Sequence, residues 1–220
     1  LLLSAPSEVV REDGTSVQYE QPRPWREEIL AAANAVHDPF VRRCMLFFLA
    51  SNWFYTYDFS GFNGTQFNMR TRGLNSAIFW VAQMIAAWLF GGVLDGPAPV
   101  AQRAWTGMLI VVNTMAASLG AALWINTSSD CGQGGGWDKG RPCELDVFDD
   151  FPKVLLPMAV FASLGAGDAL YQNYAYWLMS TAAGDSATKT VQYSAVYKGV
   201  QSLGAGCAWL LDTSSLPYRS

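Results

Sequence analysis

Histidine is almost missing from this sequence: His37 is the single one in 220 residues, and it stands in a polar stretch with no second ligand or base beside it. That removes histidine-based metal and acid–base sites from consideration. Charge is scarce too, at 15% of residues, and against a net charge of -4 there is no cluster of Lys and Arg. Nucleic acid is therefore not a partner. No Walker loop and no flavin or nicotinamide fingerprint occurs, so the chain is read as no enzyme, with no cofactor and no metal. The chain opens at Leu1 without the basic stretch and cleavage site of a signal peptide, and it stops soon after an apolar segment, so it reads as a piece of a longer protein.

What the sequence has in place of charge is apolar bulk, 51% of residues with 14% aromatic. The mean hydropathy of +0.13 is modest because polar stretches dilute it. From Gly73 to Leu94 no residue is charged, and a helix of that length, at ~1.5 Å per residue, crosses a hydrocarbon core of ~30 Å. Its apolar residues, among them Phe79, Val81, Met84, Ile85, Trp88 and Leu89, point all round such a helix and leave no polar stripe for water.

Four further segments follow the same pattern. The spans are expected at about 40–59, 73–94, 105–125, 154–180 and 193–211, which makes the fold an all-α, polytopic membrane bundle of about five transmembrane helices. Residues 1–39 read as a polar connector with a short amphipathic helix near Trp25 to Val36, and 213–220 as the start of an external loop. The stretch Ser60 to Arg72 is expected to be a short polar turn. Lys and Arg divide 8 to 6 in favour of the connector side, which makes that side cytoplasmic by the positive-inside rule.

Two kinds of signal fall on the opposite side. Asn63 and Asn126 each open a glycosylation sequon. Cys131 and Cys143 share one loop and are candidates for a disulfide, whereas Cys44 and Cys207 lie within spans as packing residues.

The fourth span contains Asp168, and a charge at that depth costs ~3 kcal/mol on insertion scales, so it must face protein or water. Tyr171 and Gln172, three and four residues on, extend it into a short polar stripe. A proton or cation site and a structural hydrogen bond are both open readings of that stripe. Asn52, Tyr55 and Thr56 share a face of the first span, with Asp58 placed at its hydrated outer end. Gln201 and Lys198 share a face of the last span, where Lys198 is expected to snorkel toward the interface. Asp168, Gln172, Tyr171, Asn52, Tyr55 and Gln201 are the candidates for a substrate or ion pathway. Small residues four apart, Ala87 with Gly91, Ala116 with Gly120, Ser163 with Gly167 and Ser202 with Gly206, mark expected helix contacts.

The runs FFLASNWFYTYDFSGFNGTQFNMRTRGLNSAIFWVAQMIAAWLFGGVLD at Phe47 to Asp95, GDALYQNYAYWLMS at Gly167 to Ser180 and YKGVQSLGAGCAWLLD at Tyr197 to Asp212 resemble fungal Unc-ninety-three-like proteins, a branch of the major facilitator superfamily. The resemblance implies that the five spans correspond to helices seven to eleven of a twelve-helix fold, with an N-terminal six-helix half and helix twelve missing. Gly92 to Asp95 keeps the Gly-x-Leu-Asp opening of the superfamily's loop signature, without the basic-Gly-basic pattern that follows it elsewhere. The expected function is movement of a small solute or ion by alternating access in an integral, multi-pass protein of the lipid bilayer. The alternative is a regulatory or trafficking partner of another membrane protein, or an inactive fragment of such a protein.

Overall fold

The computed structural model describes residues 10, 14, 24–128, 143–149 and 151–213. Within them the chain forms α1 (Trp25–Ala35), α2 (Pro39–Ala50), a π-helical segment (Tyr57–Asn63), α3 (Gly64–Gln66), α4 (Met69–Leu94), α5 (Val100–Ser128), α6 (Phe151–Ala183) and α7 (Ala187–Thr213). The protein is an all-α membrane helical bundle. Among the described residues three helices, α4, α5 and α6, are long and apolar enough to cross a membrane by length and composition.

Helix starts follow local chemistry. Pro39 takes the first position of α2, where its missing N–H costs nothing, and the Asp38 carboxylate accepts the Phe40 N–H at 2.8 Å. Asn68 does the same for α4 by accepting the Thr71 N–H at 2.9 Å. The helix expected near Trp25 is α1, whose Ala35 joins Tyr193, Val196 and Tyr197 of α7, with Val41 of α2, in one buried cluster. No turn interrupts the chain from Tyr57 to Gln66, where the sequence had suggested one from Ser60 onward. The polar residues that looked like loop instead find partners inside: Asn75 Nδ2 donates to Asn63 Oδ1 at 3.1 Å, and Gln66 Nε2 donates to Asn126 Oδ1 at 2.7 Å. Satisfied internally, they need no water.

α6 is the central element. Its apolar window is 56% buried, against 22% for α4 and for α5. The outward faces of α4 and α5 carry exposed Trp80, Met84, Trp88, Trp105, Leu109 and Trp124, a surface suited to hydrocarbon. α4 runs in the same direction as α6, since Phe79 meets Gly165 and Gln83 meets Asp168. α5 runs the other way, with Gly107 against Leu94 and Tyr174, and Met115 against Gly167.

Two glycines permit the closest helix approaches. A Cβ at Gly165 would lie 2.6 Å from the Phe79 carbonyl oxygen, and one at Gly204 would lie 2.1 Å from that of Leu49. Gly167, expected from its spacing with Ser163, is also a contact point, against Met115. Gly91, Gly120 and Gly206 meet nothing within 4 Å. Four-residue spacing alone does not say which face of a helix meets a neighbour.

Candidate functional site

The polar centre of the bundle is built on α6. Asp168 is fully buried, and Gln172, one turn on, returns its amide to the carboxylate at 3.0 and 3.1 Å. From the segment after α2, the Tyr55 hydroxyl donates to Asp168 Oδ2 at 2.6 Å; from α4, Gln83 Nε2 donates to the same oxygen at 2.6 Å. Three neutral side chains thus satisfy one carboxylate, with no cation among the described residues touching it.

The network continues into α7. Lys198 Nζ donates to Gln172 Oε1 at 3.1 Å and to Gln201 Oε1 at 2.7 Å. Its ammonium also lies 5.5 Å from the Tyr176 ring centroid and 5.1 Å from that of Tyr197, within cation–π range. Gln201 Nε2 in turn donates to Ser51 Oγ at 2.8 Å, Asn52 Oδ1 at 2.9 Å and Tyr197 OH at 3.1 Å. Ser51 Oγ and Tyr197 OH share a further hydrogen bond of 2.7 Å. A continuous chain of hydrogen bonds therefore runs from Gln83 through Asp168, Gln172, Lys198 and Gln201 to Ser51. It is buried at Asp168 and Gln201 and reaches the exposed surface at Lys198.

Of the sequence candidates, Asp168, Gln172, Tyr55, Asn52 and Gln201 converge here. Tyr171 does not: its hydroxyl donates to the Phe47 carbonyl at 2.7 Å while its ring stacks on Phe47 at 4.3 Å, so it fixes α6 to α2. Lys198 is not simply snorkelling, because both neighbouring glutamines hold its ammonium. Gln83, Ser51 and Tyr197 were not among the candidates. The signal for Gln83 was its position inside a long uncharged run, where an amide without a partner is expensive. Asp58 is not hydrated at a span end: it is fully buried, and the Thr56 hydroxyl near it also lacks a partner.

The two ends of the bundle are closed differently. At one end Cys143 is disulfide-bonded, while Cys131, its expected partner, lies outside the described residues. The strand-like pairing of Phe67 with Leu145 seats this segment on the start of α4. Arg70 pairs with Asp146, and its guanidinium lies 4.6 Å from the Phe148 ring centroid. The Phe148 N–H, then Arg70, hold the Asp146 carboxyl below the ordinary carboxylate range. Asn63 is buried, with its oxygen on Asn75, and Asn126 is tied to Gln66, Tyr57 and the Gly61 carbonyl, so neither amide is free to carry a glycan in this fold.

At the other end the Tyr193 hydroxyl donates to Asp38 Oδ2 at 2.8 Å, and this bond, with the Phe40 N–H, holds the Asp38 carboxyl low. In the Asp95 loop the Arg103 guanidinium donates to the Leu94 carbonyl, and Tyr174 OH donates to the Ala104 carbonyl at 2.9 Å. Carbonyl contacts of Arg103 thus hold a loop from which the basic-Gly-basic pattern is missing. Cys44 and Cys207 are free; Cys44 is half-buried, whereas Cys207, expected as a packing residue, is exposed.

No family model and no solved structure matches the chain. Curated relatives do. The chain is 36% identical to UNC93-like protein 1 and to UNC93-like protein 2 of Arabidopsis thaliana over 96% of its own length, which is 45% of theirs. It is 29% identical to an UNC93-like protein of Schizosaccharomyces pombe over its full length, 43% of that relative. The chain spans about half the length of the curated relatives it matches. Over that shared length this is an UNC93-like membrane protein.

Proposed function

We propose that the chain is one half of a transporter of the major facilitator type that moves a small solute or ion by alternating access, with the Asp168 network at its site. The observation that carries this reading is the convergence of groups from four parts of the bundle on one buried carboxylate and one lysine ammonium, linked through Gln172. A network that is buried at Asp168 and exposed at Lys198 offers a solute both signs of charge and several amides. On this reading the segment from Pro39 to Gln66 and α7 cross the bilayer with α4, α5 and α6, giving five spans, and the α1 side is cytoplasmic. The remaining relative length would supply the facing six-helix half, and the exposed Lys198 would look toward it.

The relatives' names state no activity, so the transport reading rests on the site. Its test is uptake by the full-length protein at matched expression. Asp168→Asn puts an amide N–H where Tyr55 and Gln83 need an acceptor, and uptake should fall by ~10-fold or more, equivalent to ~1.4 kcal/mol. Unchanged uptake would exclude Asp168 from the transport cycle.

A further inference from the structure

Asp58 lies in the π-helical segment and is fully buried, yet neither carboxylate oxygen has a hydrogen-bond partner among the described residues. It stands three residues beyond Tyr55, whose hydroxyl is on Asp168, and the two carboxyls act on each other electrostatically. The groups around it offer no relief. On its own side, the Thr56 hydroxyl makes no bond to it, and Tyr57 OH accepts from Asn126. From α6 the charged neighbour is Asp168 itself, a like charge. α4 has no charged side chain between Arg72 and Asp95, and its amides are committed, Asn75 Nδ2 to Asn63 and Gln83 to Asp168. α5 has none between Arg103 and Ser128, and its Asn126 amide is committed to Tyr57 and Gly61. On α7, Lys198 is held by Gln172 and Gln201.

A carboxylate left bare in such a place is among the most expensive arrangements a protein can hold, and it is relieved by the arrival of one positive charge. A metal ion would need several more oxygen or nitrogen ligands than this side chain supplies, and no group of three or more His, Cys, Asp or Glu among the described residues could provide them. A proton needs one oxygen. It is the cation that fits.

We propose that Asp58 is a proton-binding site separate from Asp168: one proton passes from water to a carboxylate oxygen of Asp58, forming its O–H bond, and later returns to water, while Asp168 keeps its three neutral donors. Asp168 is thereby the group that positions the solute site, and Asp58 is the group whose charge changes. The place of this step in a transport cycle rests on the transport reading above; the proton site itself does not.

The test is infrared difference spectroscopy of the purified full-length protein in lipid, across a pH titration and with exchange into heavy water. A protonated-carboxyl band should be present at neutral pH, absent in Asp58→Asn, retained in Asp168→Asn and shifted in Asp58→Glu. A band that survives Asp58→Asn, or no such band in the unsubstituted protein, overturns the proposal. Should Asp58→Asn fail to fold, the comparison with Asp58→Glu decides: an unshifted band means the proton sits elsewhere. A protein that shows the Asp58 band and moves no solute refutes the transport reading and leaves the proton site standing.

Discussion

Asp168 and Asp58 are the same residue at the same exposure, zero, and the protein treats them in opposite ways. Asp168 is surrounded by Tyr55, Gln83 and Gln172, which reach it from three directions, whereas Asp58 has no donor among the described residues. Burial alone therefore says little about what an acidic side chain does in a membrane bundle. What matters is whether the neighbours have been chosen to hold its charge.

The sharpest way to use the contrast is to make one substitution at both sites. Asp168→Asn leaves the Tyr55 hydroxyl and Gln83 amide competing for one remaining acceptor, and should destabilise the full-length protein by ~2 to 3 kcal/mol. Asp58→Asn removes a bare acid and should cost less than ~1 kcal/mol or stabilise. Thermal unfolding in detergent, followed by loss of the monodisperse species, measures both; equal losses would erase the distinction.

A second way is to break the support of one site only. Gly204→Ala drives a methyl group into the Leu49 carbonyl where α7 crosses α2, the contact that keeps Gln201 in reach of Ser51 and Asn52. The expected cost is ~2 kcal/mol. Uptake should fall with it, while Gly206→Ala, where nothing lies within 4 Å, should behave as the unsubstituted protein.

The smallest effect belongs to the Arg70–Asp146 closure at the disulfide end. Because the folded protein holds the Asp146 carboxyl low, its contribution is complete above the ordinary carboxylate range and is lost as pH falls through the lowered folded value. Hydrogen exchange of residues 143–149 should thus rise only in acid, and Asp146→Asn should show that raised exchange already at neutral pH. Acid-insensitive exchange in the unsubstituted protein would remove the carboxylate from the closure.

Much of the Asp168 site could be read in the sequence because helical spacing carries it. Gln172 is four residues from Asp168, and Asn52 with Tyr55 and Gln201 with Lys198 are each three apart, so faces were legible. What spacing does not give is which face meets which helix. That is why Tyr171, in register with Asp168, turned out to anchor Phe47, and why Gln83 was passed over although it touches the carboxylate. Asp58 was missed for a different reason. Gly61, Asn63, Gly64 and Gln66 have the composition of a turn, and only their long-range partners on α4 and α5, Asn75 and Asn126, make the chain continue as helix and carry Asp58 inside.

Tyr55 and Asp168 act as one unit at the centre of the bundle. A double-mutant cycle on the stability of the full-length protein, with Tyr55→Phe, Asp168→Asn and the two together, measures that directly. The expected coupling is ~1 to 2 kcal/mol, because in Asp168→Asn the phenol hydroxyl loses its charged acceptor and must compete with Gln83 for the one amide oxygen left. Additive losses, with a coupling near zero, would contradict it.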